Sequence, residues 1–485
     1  MKLLEAAVGL AAFVSLFWWF RRLMATDRVI VVAMFLLGLL VVESVLYEPI
    51  DVPPGLFHIQ AGGFQIRTID LILLLAIVAR VTTKHASRLT LTAGAWILFG
   101  VWLTFEAVAG VRYGNSKTYV LDEYKTLIYL GSAYAVSTAR VDRPEDQRVV
   151  TRFVRICAVL AVVLFATSLA HIQIALGQPG LNGASFGAIS SITSTLLPMV
   201  GILGLAIFLC SEPPRYDQLA CALVLFATSV AAGQRASPLN LSAALVALVV
   251  VVPLCFRHLK VSPSQFCLGV FGVMFTLGSV WFARAALTGR TSIPFSAQVT
   301  TILNGREKVL SAQDRVNQLK VAKTLFEQHP LFGWGLGKTF QYYEVGFKAF
   351  TTTYLSHNII ADLLIRTGIV GCALFLVAFA LTLSDSVKAW RQESLAPAEA
   401  AVALAVCAIL TGWFAHGMVE SLFEHVRLTP AAFIFVGLVR GVIRRNEASA
   451  RVASVSGRRI APAAVAIARN PVYSLGSDPR PRTSS

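Results

Sequence analysis

Apolar runs of about 20 residues recur along nearly the whole chain, each long enough to cross the roughly 30 Å hydrocarbon core of a bilayer as a helix. They fall near 3–20, 28–47, 66–82, 89–109, 123–138, 153–175, 188–210, 217–233, 239–256, 265–283, 359–383, 398–418 and 424–443. Lipid offers backbone N–H and C=O groups no partner, so each run must satisfy its own hydrogen bonds as a helix. The expected fold is an all-α polytopic membrane protein with about 12–13 transmembrane helices. The third and fifth runs are short.

Composition excludes the main alternatives. Hydrophobic residues are 56% of the chain and charged residues 14%, whereas a soluble domain carries about 25% charged residues. The formal charge of +16 would suggest nucleic acid in a soluble protein. Here no basic run is interleaved with the aromatics that stacking readers need, so nucleic acid is not an expected partner. The seven cysteines lie in or beside apolar runs without a CxxC pair, which suits small apolar fillers better than a disulfide frame. The first run ends in Trp18-Trp19-Phe20-Arg21-Arg22 without a small-residue cleavage site. It reads as a retained span rather than a removed signal.

Lys and Arg in the short loops set the expected orientation. One alternating set of loops holds fourteen, among them Arg21, Arg22, Arg140, Arg143, Arg148 and Arg152, and the other holds six. The richer set is expected to be cytoplasmic, together with the tail that carries Arg444, Arg445 and Arg451. The one long polar interval, 284–357, is then an extracytoplasmic loop containing short helices, and the N-terminus lies outside. That loop carries nine basic and four acidic residues. An excess of positive charge on this side suits an anionic ligand, although long loops also escape the positive-inside rule.

Within the loop, Ser311 to Gln328 reads as a helix. Ser311 with Asp314 resembles a capping box, and His329-Pro330 stops it. Leu319, Ala322 and Phe326 form an apolar stripe at helical spacing that includes Arg315, while Lys320, Lys323 and Glu327 point away. An Arg on a packed face must meet an anion or line a wet cavity. Next comes Gly333-Trp334-Gly335-Leu336-Gly337-Lys338-Thr339. It is not a Walker A loop, because Phe332 stands where that pattern needs glycine, and no βαβ unit surrounds it. Its glycines allow either close approach of backbone to a ligand or a tight turn packed on the bundle.

His357-Asn358 immediately precedes an apolar run, so His357 sits at a helix N-terminus near the membrane surface. The positive end of the helix dipole favours neutral imidazole there, the form that accepts a proton. Asp362 and Arg366 are spaced to pair on the entering helix. Arg235, in Gly233-Gln234-Arg235-Ala236-Ser237, interrupts two apolar runs, and an Arg at that depth is a candidate for function or an interfacial anchor. His416, Glu420, Glu424 and His425 share one short loop without a zinc spacing, so no metal is expected. Asp70, Glu106, Asp122 and Glu123 lie near span ends with no role assigned.

Together these residues resemble a known family. His329-Pro330-Leu331-Phe332-Gly333-Trp334-Gly335-Leu336-Gly337, then Ser356-His357-Asn358, then Arg366-Thr367-Gly368-Ile369-Val370-Gly371, look like the signature of the O-antigen ligase and Wzy-type polysaccharide polymerase superfamily. Arg315, about fifteen residues before Pro330, and the Arg235 element are also typical. Gln234 and Pro238 are not the usual company of the upstream Arg, and a count near thirteen is one above the commonest layout. The resemblance covers roughly 185–385. With the apolar runs, the chain is expected to divide into N-terminal transmembrane helices (1–184), a ligase-like core with the loop 284–357 (185–385), C-terminal transmembrane helices (386–445) and a tail (446–485) whose Ala, Ser, Pro and Arg content reads as disordered, basic and cytoplasmic.

The resemblance implies a glycan transferase that uses no metal or other cofactor, at the outer face of a bacterial inner membrane. The donor would be a polysaccharide on undecaprenyl diphosphate and the acceptor a glycan or lipid. Arg235 and Arg315 would hold the diphosphate, with Arg306 a rival to Arg315. His357 would activate the acceptor hydroxyl or stabilise the leaving group, supported by Gly333, Gly335, Gly337 and Asn358. Two Arg can offset leaving-group charge through planar hydrogen-bonding forks. Membrane lipids are partners, and a flippase or chain-length regulator could be. A ligase and a Wzy-type polymerase share this donor and differ in acceptor. Anion transport is the alternative from another class, but Pro198, Pro253 and Pro430 do not form the paired half-repeats it would need.

Overall fold

The computed structural model describes residues 2–46, 58–61, 64–83, 90–176, 191–231, 236–254, 261–288, 310–345, 348–391, 395–418 and 428–455. The chain divides into two units, Met1–Ile443 and Arg444–Ser485. The helices are α1 (Lys2–Ala25), α2 (Val29–Leu46), α3 (Thr68–Thr82), α4 (Leu91–Arg112), α5 (Lys117–Tyr124), α6 (Thr126–Val136), α7 (Pro144–Leu176) and α8 (Ser191–Cys210). They continue with α9 (Tyr216–Ala231), α10 (Ala236–Leu254), α11 (Pro263–Thr288), α12 (Leu310–Gln328), α13 (Ile359–Trp390), α14 (Pro397–Gly417) and α15 (Leu428–Val455). Two short antiparallel hairpins interrupt them: β1 (His58–Ala61) with β2 (Phe64–Arg67), and β3 (Phe340–Glu344) with β4 (Ala349–Thr353).

This is an all-α polytopic membrane protein. Among the described residues five helices are long and apolar enough to cross a bilayer: Leu91–Arg112, Pro144–Ala166, Pro263–Val280, Ile359–Trp390 and Pro397–Gly417. Val29–Glu43, Leu196–Cys210, Tyr216–Ala231 and Leu239–Val252 are shorter apolar helices. The expected fifth span, 123–138, is not one helix. It breaks at Lys125 into α5 and α6, and the 11 residues of α6 rise only about 16 Å, too little for a bilayer.

Burial explains the layering. In α14 every residue from Ala401 to Leu410 is buried, as expected of a helix that is apolar all round. It packs against α8, α10 and α13. In α4 the two faces differ. Phe99, Leu103, Glu106 and Gly110 are buried, while Ile97, Leu98, Val101, Phe105 and Val108 are each more than half exposed. That exposed stripe, at helical spacing, is the face α4 offers to lipid. The six described cysteines are free thiols; Cys255 lies outside the described residues.

Candidate functional site

The expected loop helix forms as α12 and ends before His329-Pro330. Its packed face differs by one register from the expected stripe. Gln318 and Ala322 are buried and Leu325 half-buried against Phe340, Tyr342 and Ile365, whereas Leu319 is exposed. The hairpin β3–β4 sets this register: it covers one side of α12 and leaves Leu319 outside. Arg315 lies three residues before Gln318 and seven before Ala322, so it shares their face, and it is half-buried. Lys320, Lys323 and Glu327 are exposed. Asp314, expected in a capping box, instead accepts the Val345 N–H at 2.6 Å, and Asn317 Nδ2 donates to the Tyr343 carbonyl at 2.9 Å. Both bonds pin the hairpin to the helix.

The glycine-rich run is threaded into a break in α13. At Gly368 the backbone leaves the helix (φ 60°, ψ −167°). Two carbonyls freed by the break accept from the run: Trp334 N–H donates to Ile365 O at 2.8 Å and Gly335 N–H to Arg366 O at 3.0 Å. Two N–H groups freed by the break donate back, Ile369 to Pro330 O at 2.9 Å and Val370 to Leu331 O at 3.3 Å. Leu336 N–H reaches the Glu106 carbonyl at 3.0 Å, and Gly337 N–H reaches Glu123 Oε2 at 2.7 Å. Asn115 Nδ2 donates to the carbonyls of Trp334 and Leu336, each at 2.9 Å. Of the two uses open to these glycines, the geometry is the tight turn packed on the bundle: a Cβ on Gly335 would lie 2.2 Å from Gly110 N. Trp334 is held by its Nε1–H on Leu325 O at 2.9 Å and carries Lys338 Nζ 3.8 Å from its ring centre. Partial burial lowers the Lys338 ammonium below its ordinary range.

His357 follows from the same framework. Arg366 and Asp362 pair at 2.8 Å, as their spacing predicts. Arg366 also meets Glu123 of α5 (Nε to Oε1, 2.5 Å) and donates to the Tyr354 carbonyl. Asp362 Oδ1 accepts the Ser356 N–H at 2.8 Å. The chain is thus gripped at Tyr354 and at Ser356, on the N-terminal side of His357. On the other side Asn358 caps α13, its Oδ1 accepting from Ile360 and Ala361 N–H at 3.0 Å each, while its Nδ2 donates to Met418 O at 3.0 Å. His357, between these anchors, adopts φ 36° and is half-buried. A non-glycine residue at positive φ is uncommon and persists where its surroundings over-determine it. Tyr354 also stacks on Tyr119, ring centres 4.2 Å apart.

Arg235 and Arg306 lie outside the described residues, as do Glu420, Glu424 and His425. Among the described residues no cluster of His, Cys, Asp and Glu could hold a metal ion. Glu123 is one of the four acidic residues that sequence reasoning left without a role. Its signal was an acid beginning one apolar run and an Arg inside another, two charges that must find partners in a low-dielectric interior.

Residues 220–376 match the family model Wzy_C, described as O-antigen ligase. This supports the likeness to the O-antigen ligase superfamily carried by the motifs from Arg315 to Gly371, and a role in surface polysaccharide biosynthesis. No curated protein matches the chain.

Proposed function

We propose that this protein transfers a glycan from an undecaprenyl-diphosphate-linked donor to an acceptor at the outer face of a bacterial inner membrane, in the manner of an O-antigen ligase. The observation that carries the reading is that one family match, 220–376, runs through Arg235, Arg315 and His357 together. The over-determined backbone of His357 supports a functional role for that side chain.

In the proposed reaction the acceptor hydroxyl oxygen attacks the anomeric carbon of the donor sugar. The bond from that carbon to the diphosphate oxygen breaks, and its electron pair leaves with undecaprenyl diphosphate. His357 takes the hydroxyl proton. Arg235 and Arg315 offset the negative charge that grows on the diphosphate. Arg suits that task because its planar fork matches phosphate oxygens.

The test is a surface-polysaccharide gel of a deletion strain complemented with wild type, His357→Ala, Arg235→Ala or Arg315→Ala at matched membrane levels. Loss of long-chain glycan in all three supports transfer. Polymer accumulating on the lipid carrier then identifies a ligase, and single repeats accumulating there identify a polymerase. Full restoration by all three variants overturns the reading and raises anion transport.

A further inference from the structure

The β3–β4 hairpin has two unlike faces. Its register pairs Gln341 with Thr352 and Tyr343 with Phe350. Side chains alternate across a strand, so these four share one face. The opposite face, with Phe340 and Tyr342, is buried against α12 and Ile365. The first face is open: Gln341 and Thr352 are exposed, Tyr343 is 42% exposed and Phe350 74%. It is also organised. Gln341 Nε2 donates to Thr352 Oγ1 at 3.3 Å, and the Tyr343 and Phe350 rings meet edge to face at 5.5 Å.

Single exposed apolar residues are ordinary, but two exposed aromatic rings paired beside an amide and a hydroxyl form an amphipathic surface. A lipid surface would strip water from Gln341 and Thr352 without replacing their hydrogen bonds. A sugar ring supplies both needs: its axial C–H groups pack on aromatic faces, and its hydroxyls bond the amide and the Thr oxygen. The location agrees. β4 ends at Thr353, and His357 follows four residues later, at most roughly 14 Å along an extended chain.

We propose that the outward face of the β3–β4 hairpin (Gln341, Tyr343, Phe350 and Thr352) is a saccharide-binding platform that holds the glycan being transferred; this rests on the transferase reading above. The ligand is the donor chain, a neutral or mildly acidic oligosaccharide.

The test uses full-length protein in nanodiscs, two saccharide probes and, as a control, anionic lipid vesicles. One is the parental surface polysaccharide released from its lipid by mild acid. The other is the core oligosaccharide of a polymer-deficient strain. Tyr343→Ser/Phe350→Ser, confirmed monodisperse, is expected to weaken binding by on the order of tenfold. Tyr343→Trp/Phe350→Trp is expected to retain it, a rescue that a purely structural hairpin would not show. Binding of the polysaccharide without binding of the core supports a donor-chain platform, and binding of the core alone overturns it in favour of an acceptor site. Wild-type affinity in the serine variant overturns the proposal, as does a defect confined to binding of anionic lipid vesicles. His357→Ala separates the two claims, because it should abolish transfer yet bind glycan normally. If His357→Ala transfers normally while the serine variant loses glycan binding, the transferase site is wrong and the platform stands.

Discussion

Glu123 and Arg366, 243 residues apart in the chain, meet as a buried ion pair with Nε 2.5 Å from Oε1 and 4% of each side chain exposed. The pair joins the short helix α5 to the broken helix α13, and the other Glu123 oxygen holds Gly337. Removing one member of a buried pair typically costs about 3–5 kcal/mol, because the other charge is left unpaired. Arg366→Met should reach that range, since it strands both Glu123 and Asp362. Glu123→Gln should lose less, because a glutamine oxygen still accepts the Gly337 N–H. The double variant should lose less than the sum. Thermal unfolding of detergent-purified protein measures all three, and equal losses for the two single variants would contradict this ordering.

Two glycines with nearly the same backbone separate conformational strain from steric exclusion. Gly335 and Gly114 have φ of 74° and 77°. A Cβ on Gly335 meets the backbone of Gly110 at 2.2 Å, and one on Gly114 meets nothing within 4 Å. Gly114→Ala should therefore cost roughly 1–2 kcal/mol from its left-handed backbone alone. Gly335→Ala must push two chain segments apart and should fail to yield monodisperse protein. Size-exclusion yield after membrane extraction is the measurement, and similar yields for both would mean that the run is more loosely seated than its hydrogen bonds indicate.

These contacts show where sequence reasoning reaches and where it stops. The apolar runs located several helices closely, for example 398–418 against Pro397–Gly417, because length and hydrophobicity are local properties. The helix stop at His329-Pro330 and the Asp362–Arg366 pair were equally local. The apolar run 123–138 gave no sign that it would divide at Lys125 into α5 and α6. The edge of α12 depends on a hairpin whose Tyr- and Thr-rich strands are only five residues each. Threading Trp334 and Gly335 into the α13 break could not be read either, since the glycines were compatible with ligand or protein. Arg235 and Arg306 lie outside the described residues, so their place in the site rests on the motifs.

Asn358 performs two separable tasks. Its Oδ1 caps α13, and its Nδ2 ties the cap to Met418. Asn358→Asp keeps an acceptor for the cap and adds a negative charge that suits a helix N-terminus. Asn358→Ala loses both contacts and should cost about 1 kcal/mol in the cap alone. If the cap positions the neighbouring His357, glycan output in the complementation gel should fall further for Ala than for Asp. Equal output from both would make Asn358 a stability residue only.

Arg315 offers the sharpest separation of a binding role from general positive charge. It shares the packed face of α12 with Gln318 and Ala322, while Lys320 and Lys323 on the same helix are exposed, Lys323 with Glu327 at 3.7 Å. Exposed pairs of that kind contribute little to stability, about 0–1 kcal/mol. If the loop attracts the donor only through net charge, Lys320→Ala/Lys323→Ala should lower glycan output more than the single change Arg315→Ala. If Arg315 bonds the diphosphate directly, the order reverses and the lysine pair is nearly silent. Arg315→Lys then decides the geometry. A lysine keeps the charge but loses the two-pronged donor, so direct bonding predicts output well below wild type and above Arg315→Ala. Output equal to wild type in Arg315→Lys would mean that charge alone suffices at this position.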